Sequence, residues 1–182
     1  MDSNGGSKNG GGNKSHRPLN HEELTAIFQK LGARDPESWA RSQILEGVNQ
    51  LARFLFLRQA WGLIVNDDDA NWIQSQIKYA EANPQEPYAG VGLALKTLLS
   101  LGAGDHEITD IVRGMQAALL FHMCYLLAEG GDLESKVLGV EWGLFQIDSN
   151  GRPLESISAL HESVLGMDPT GREMRPRNSL GP

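Results

Sequence analysis

The 182-residue chain predicts a mainly α-helical protein: a bundle of about five helices around a buried central helix, with a C-terminal β-hairpin and a short helix. Three observations lead there. Ala117 to Ala128 reads AALLFHMCYLLA, apolar or aromatic everywhere except His122, and a helix apolar on all faces belongs inside. Upstream, apolar residues recur at three- and four-residue spacing between helix start and stop signals. Downstream, an Asn-Gly pair separates two extended runs.

Each element has its own signal. Asn20 is a cap, Glu23 completes a capping box, and Leu24, Ile27, Phe28 and Leu31 form one stripe that Gly32 stops. Asp35-Pro36 opens a second helix, long enough to run to Ala60, with Trp39, Ile44, Val48, Leu51 and Leu55 in step. Trp61-Gly62 ends it, and Leu63-Ile64-Val65 reads as a buried connection. A third helix carries Trp72, Ile73, Ile77 and Ala80 and stops before Asn83-Pro84. Pro87 opens a fourth with Val91, Leu95, Leu98 and Leu99 inward. Its Gly90 and Gly92 are poor helix formers, so it either packs closely on a neighbour or starts late.

The fifth helix runs from Asp105 to Glu129, where Gly130-Gly131 stops it. Ile108, Ile111, Val112, Met115, Leu119, His122, Met123 and Leu126 are expected on its inward side. Residues 140–147 look extended, Asp148 to Gly151 is a turn, and 152–157 returns as a strand that Pro153 confines to an edge. Ser158 to Leu165 forms a short helix before Gly166.

The organisation is one domain with two tails. Residues 1–19 are Gly/Asn/Ser-rich, too polar to repay the entropy of ordering, and are expected to be disordered. Residues 20–166 form the domain, and 167–182 an irregular basic tail. With net charges of +2 and +1 on the two tails, the chain's −7 leaves −10 on residues 20–166. An acidic body repels nucleic acid and favours a basic partner, although acidity also serves solubility alone. Three C-terminal arginines without stacking aromatics do not make a nucleic-acid surface. The single cysteine, Cys124, excludes an intramolecular disulfide and suits the cytoplasm. No signal peptide is evident, and twelve apolar residues fall short of the roughly twenty that cross a bilayer.

Few residues carry chemistry. His122 in the apolar run is a candidate base, or else a hydrogen-bonded core histidine. HESVLGMDPTGRE gathers His161, Glu162, Asp168 and Arg172 within thirteen residues, where His161 can act as a general base and Arg172 hold an anion. The structural alternative has Asp168 capping a turn and Arg172 and Arg175 paired with the acidic body. Asp67, Asp69 and Asn71 match the first ligand positions of a calcium loop, but Trp72 replaces the required glycine and Lys78 the bidentate glutamate, so helix capping accounts for the aspartates. No phosphate loop, zinc array or nucleophile elbow is present, and neither metal nor cofactor is expected. Cys124 lies in an apolar run, where burial raises a thiol's pKa and makes it a poor nucleophile.

These residues favour a small acidic cytoplasmic protein that binds a protein partner without catalysis, in an inhibitor, immunity-type or adaptor role. Trp39, Trp72, Tyr88 and Trp142 are available for the surface. The alternative is a small hydrolase using His161, Glu162, Asp168 and Arg172, with His122 as a second base. Pairing of two copies through the hairpin's edge is compatible with either.

Overall fold

The structure, a computed structural model, describes residues 17–128 and 137–177. The expected tail over residues 1–16, the Gly130-Gly131 stop and the last five residues lie outside the described residues. The elements in order are α1 (His21–Lys30), α2 (Pro36–Glu46), α3 (Gln50–Trp61), α4 (Asn71–Ala82), α5 (Ala89–Ser100), α6 (Asp105–Ala128), β1 (Phe145–Ile147), β2 (Pro153–Ser156) and α7 (Leu160–Val164). A 3-10 turn, Leu165–Met167, follows. The protein is thus mainly helical, with a two-stranded antiparallel hairpin and a short C-terminal helix.

Local chemistry explains the boundaries. Asn20 caps α1 and Glu23 returns the bond to the Asn20 amide, a complete capping box. The helix expected from Asp35 to Ala60 is two helices. Gly47 takes a left-handed conformation at φ 67° and ends α2, and the Asn49 side chain accepts from the Ala52 amide to start α3. The apolar spacing of Ile44, Val48, Leu51 and Leu55 runs across this break in the sequence and so concealed it. Gly92 marks the close approach of α5 to α4: a Cβ there would stand 2.2 Å from the Gln76 carbonyl oxygen. In the hairpin, Asp148 accepts from the amides of Asn150 and Arg152, and Gly151 supplies the positive φ.

The interior is three adjoining clusters rather than one bundle around α6. Leu24, Phe28, Ala40 and Phe54 join α1, α2 and α3. Ile73, Ile77 and Leu95 join α4 and α5, and Ile108 ties them to the start of α6. Leu57, Trp61, Ala117, Cys124, Ile157, Leu160 and Val164 join α3, α6 and the C-terminal segment. Trp61 fastens this third cluster by donating its indole N–H to the Val164 carbonyl at 2.8 Å.

Two further expectations are corrected. The connection after α3 is not buried as a unit, since Leu63 is exposed. More consequentially, α6 turns the other way from the expected orientation. Ile108 is buried and Val112 packs beside it, as expected, but Ile111, Met115 and Leu119 are 62%, 70% and 64% exposed, and His122, Met123 and Leu126 are exposed with them. The inward face is built of Thr109, Arg113, Ala117 and Cys124. The reason is steric and electrostatic: α7 packs against the small side chains of that face, and Arg113 meets buried partners there. Among the described residues, α6 is also the one helix long and apolar enough, by length and composition alone, to cross a membrane. The twelve-residue run is thus half of a 24-residue helix.

Candidate functional site

The C-terminal segment is held to the helical body by a cluster of arginines and aspartates. Asp110 and Arg113 sit three residues apart on α6 and so share a face. Asp67 comes from the loop after α3, and Asp168, Arg172 and Arg177 from the segment after α7. Arg113 donates to Asp168 at 2.5 Å and to the Val65 carbonyl at 2.7 Å. Arg172 donates to Asp67 at 2.5 Å and to Asp110 at 3.3 Å. Arg177 donates to Asp110 at 3.0 Å and to Asp67 at 3.2 Å. Charges balance three against three, which lets Asp67, Arg113, Asp168 and Arg172 remain buried.

Asp168 is the centre of its own turn. Beyond Arg113, its carboxylate accepts from the Thr170 amide and hydroxyl and from the Met174 amide. Those bonds hold Glu173 and Met174 in left-handed conformations that neither residue type favours. Burial works against the Asp168 carboxylate, but the Thr170, Met174 and Arg113 bonds outweigh it and set the pKa below the ordinary value. Asp110 is likewise lowered, its partial desolvation overcome by Arg177 and Arg172. Every carboxylate of the cluster is engaged by a guanidinium, so the arrangement fastens segments together and leaves no free base.

The expected catalytic set is divided. Asp168 and Arg172 lie in this cluster, linked through Arg113 and Asp67. His161 packs edge-on against Tyr125, with ring centroids 5.0 Å apart, and against Phe121. Its Nδ1 is buried and has no hydrogen-bond partner among the described residues. Glu162 faces Arg53 at 3.5 Å. His122, expected in the core, is exposed on the outer face of α6 beside Phe121. A cleft of about 620 Å³ lies between α3 and the α7 segment, lined by Trp39, Phe54, Trp61, Arg34, Arg58 and Glu162. Neither His161 nor Arg172 lines it. Cys124 is buried and its thiol is pushed up to about 11 by desolvation, as the apolar run implies.

The cluster includes residues the sequence did not single out for this role: Asp67, Asp110, Arg113 and Arg177. The signal available was Arg113, the one Lys or Arg in α6, with Asp110 one turn before it. The aspartate triplet has split duties. Asp69 accepts from the Asn71 amide in a tight turn just before α4, but the N-cap position is Ala70 and no side chain caps the helix, so the expected capping by the aspartates is not what is seen; Asp67 is a buried arginine anchor. Of the four aromatics expected at the surface, Tyr88 is exposed and Trp142 partly so. Trp39 stacks into the first cluster, and Trp72 donates to the Thr109 hydroxyl.

The remaining feature is the outer face of α6. Ile111, Met115, Leu119, His122 and Leu126 lie within about 80° of one another around the helix, at 100° per residue. Between Gly114 and Ala128 the helix has no Asp, Glu, Lys or Arg. At its C-terminal end the Trp142 indole donates to the Leu126 carbonyl at 2.9 Å, which places a partly exposed tryptophan beside the stripe. Comparison of the chain with known protein families, with curated proteins and with solved structures gives no match.

Proposed function

We propose that this chain is a protein-binding module without catalysis of its own, and that its binding surface is the outer face of α6. The observation that carries the reading is the uncharged stripe of Ile111, Met115, Leu119 and Leu126, exposed along four turns of helix. A continuous apolar patch of this kind on a folded surface marks an interaction site. A partly exposed tryptophan at one end supplies the sort of anchor that dominates binding energy. Inhibitor, immunity-type and adaptor roles all fit a surface of this kind. A cytoplasmic setting goes with the reading, since a lone buried cysteine suits a reducing compartment.

The hydrolase alternative has less support: its histidine, carboxylates and arginine are occupied in separate contacts, with Asp168 and Arg172 bonded to partners that neutralise them. A site-specific photocrosslinker tests the binding reading. Placed at position 115 or 119 in the full chain in cells, it is expected to yield protein adducts, and at Glu22 on α1 it is expected to yield none. Adducts confined to lipid, or equal labelling from all three positions, would overturn it.

A further inference from the structure

Resting on that reading, we infer that the occupant of the α6 face is a second copy of this chain, its α6 laid antiparallel along the first. The segments outside the described residues offer little apolar surface to match the stripe. Residues 1–16, 129–136 and 178–182 contain Met1, Leu133 and Leu180 as their only large apolar side chains. The stripe is also free of charge, so it offers neither an acidic nor a basic partner a complementary residue. An uncharged stripe is complementary to itself, which is what a two-fold interface requires.

Size supports the same occupant. Ile111, Met115, Leu119, Met123 and Leu126 are each about half exposed or more, and Tyr125 borders them. Together with His122 they offer roughly 600 Å² per copy, hence roughly 1,200 Å² for a pair, the lower bound of a standard stable interface. The stripe from Ile111 to Leu126 is about 22 Å long, enough for two helices to pack along four turns. The hairpin edge is the weaker candidate, because its strands have three and four residues and Pro153 lacks an N–H to donate.

Orientation follows from what each arrangement brings together. A parallel pair would set Asp105, Glu107 and Asp110 of both copies side by side and would align the two helix dipoles. An antiparallel pair separates the acidic ends. It places Ile111 by the partner's Leu126 and Met115 by the partner's His122, and Ala118, near the two-fold axis, lets the helices approach closely.

Sedimentation equilibrium of the full chain at tens of micromolar tests the inference. The wild type is expected at twice the chain mass, and Met115→Asp with Leu119→Asp at the monomer mass. The pair of substitutions is expected to raise the dissociation constant at least a hundredfold and to leave the helical circular dichroism unchanged, because both side chains are already solvated in one copy. For orientation, Ile111→Cys and Leu126→Cys chains are mixed and oxidised, with the buried native thiol of the wild type as control. The mixture is expected to crosslink, and Ile111→Cys alone is not. Crosslinking of Ile111→Cys alone overturns the antiparallel arrangement, and a monomeric wild type overturns the dimer. A monomer that still gives protein adducts from positions 115 and 119 leaves the binding reading standing. A monomer that instead floats with phosphatidylcholine vesicles, and loses this with Leu119→Asp, removes both.

Discussion

Arg113 and Asp168, fifty-five positions apart, meet at 2.5 Å with side chains only 3% and 0% exposed. This pair closes the C-terminal segment onto the longest helix. Removing one partner leaves the other charged and buried, whereas removing both leaves a gap that apolar atoms can fill.

Asp168→Ala is therefore expected to destabilise the protein by about 3 kcal/mol, because it removes the nearest carboxylate from buried Arg113 and orphans the amides of Thr170 and Met174. Arg113→Met combined with Asp168→Leu is expected to be less damaging than the sum of the two single changes. Urea denaturation of the four species measures the coupling. Additive single changes would show that the two side chains do not act as a pair.

Acid is expected to loosen the same clasp. Asp168 and Asp110 both have pKa values below their ordinary 3.8 in the folded protein. A depressed folded-state pKa contributes stability that is complete above the unfolded value and is lost as the pH falls through the folded one. Urea midpoints from this source should thus hold steady above about pH 5, then drop below the unfolded value of 3.8. Asp168→Asn should flatten that drop. A variant with the wild-type acid profile would assign the loss to other carboxylates.

Two glycines two residues apart in α5 are expected to respond in opposite directions. At Gly92 a Cβ would stand 2.2 Å from the Gln76 carbonyl oxygen and 2.6 Å from the Ala80 Cβ. Gly92→Ala must then push α4 and α5 apart, at a net cost of about 1–3 kcal/mol despite its better helix propensity. At Gly90 a Cβ meets nothing within 4 Å. Gly90→Ala should stabilise by about 0.5–1 kcal/mol. Thermal melts of the two variants decide it, and a stabilised Gly92→Ala would refute the close approach.

Cys124 is expected to resist alkylation. With its thiol at about 11 against an ordinary 9.0, the reactive thiolate at pH 8 is about a hundredfold scarcer than in an exposed cysteine. Iodoacetamide should label it slowly in the native protein and rapidly in denaturant. Fast native labelling would mean that the α6–α7 contact opens readily.

Much of the fold was legible because its signals are local. The Asn20–Glu23 capping box, the Asp35-Pro36 start, the span of α6 and the Asn150-Gly151 turn each depend on a few adjacent residues, and each stands where the sequence puts it. What failed was the choice of face on α6. Ile111, Met115 and Leu119 are larger apolar groups than Ala117 and Cys124, and Arg113 is charged, yet the second set is inside. Inward orientation was decided by groups far along the chain, Asp168 and the α7 side chains Leu160 and Val164, which no helical period can report. The candidate site suffered for the same reason. Asp168 and Arg172 are neighbours in sequence, but their partners Arg113 and Asp67 come from elsewhere, so a cluster resembling a catalytic loop is a fastening.

The interval between Arg113 and Asp168 has a consequence for biosynthesis. Chains are made from the N-terminus at 5–20 residues per second, so Asp168 follows Arg113 by about 3–11 seconds. Until it arrives, α6 has an Arg113 without its nearest carboxylate on one side and bare aliphatic groups on the other. The seconds between translation of the sixth helix and closure of the seventh are thus the interval in which the growing chain is most open to association through that surface.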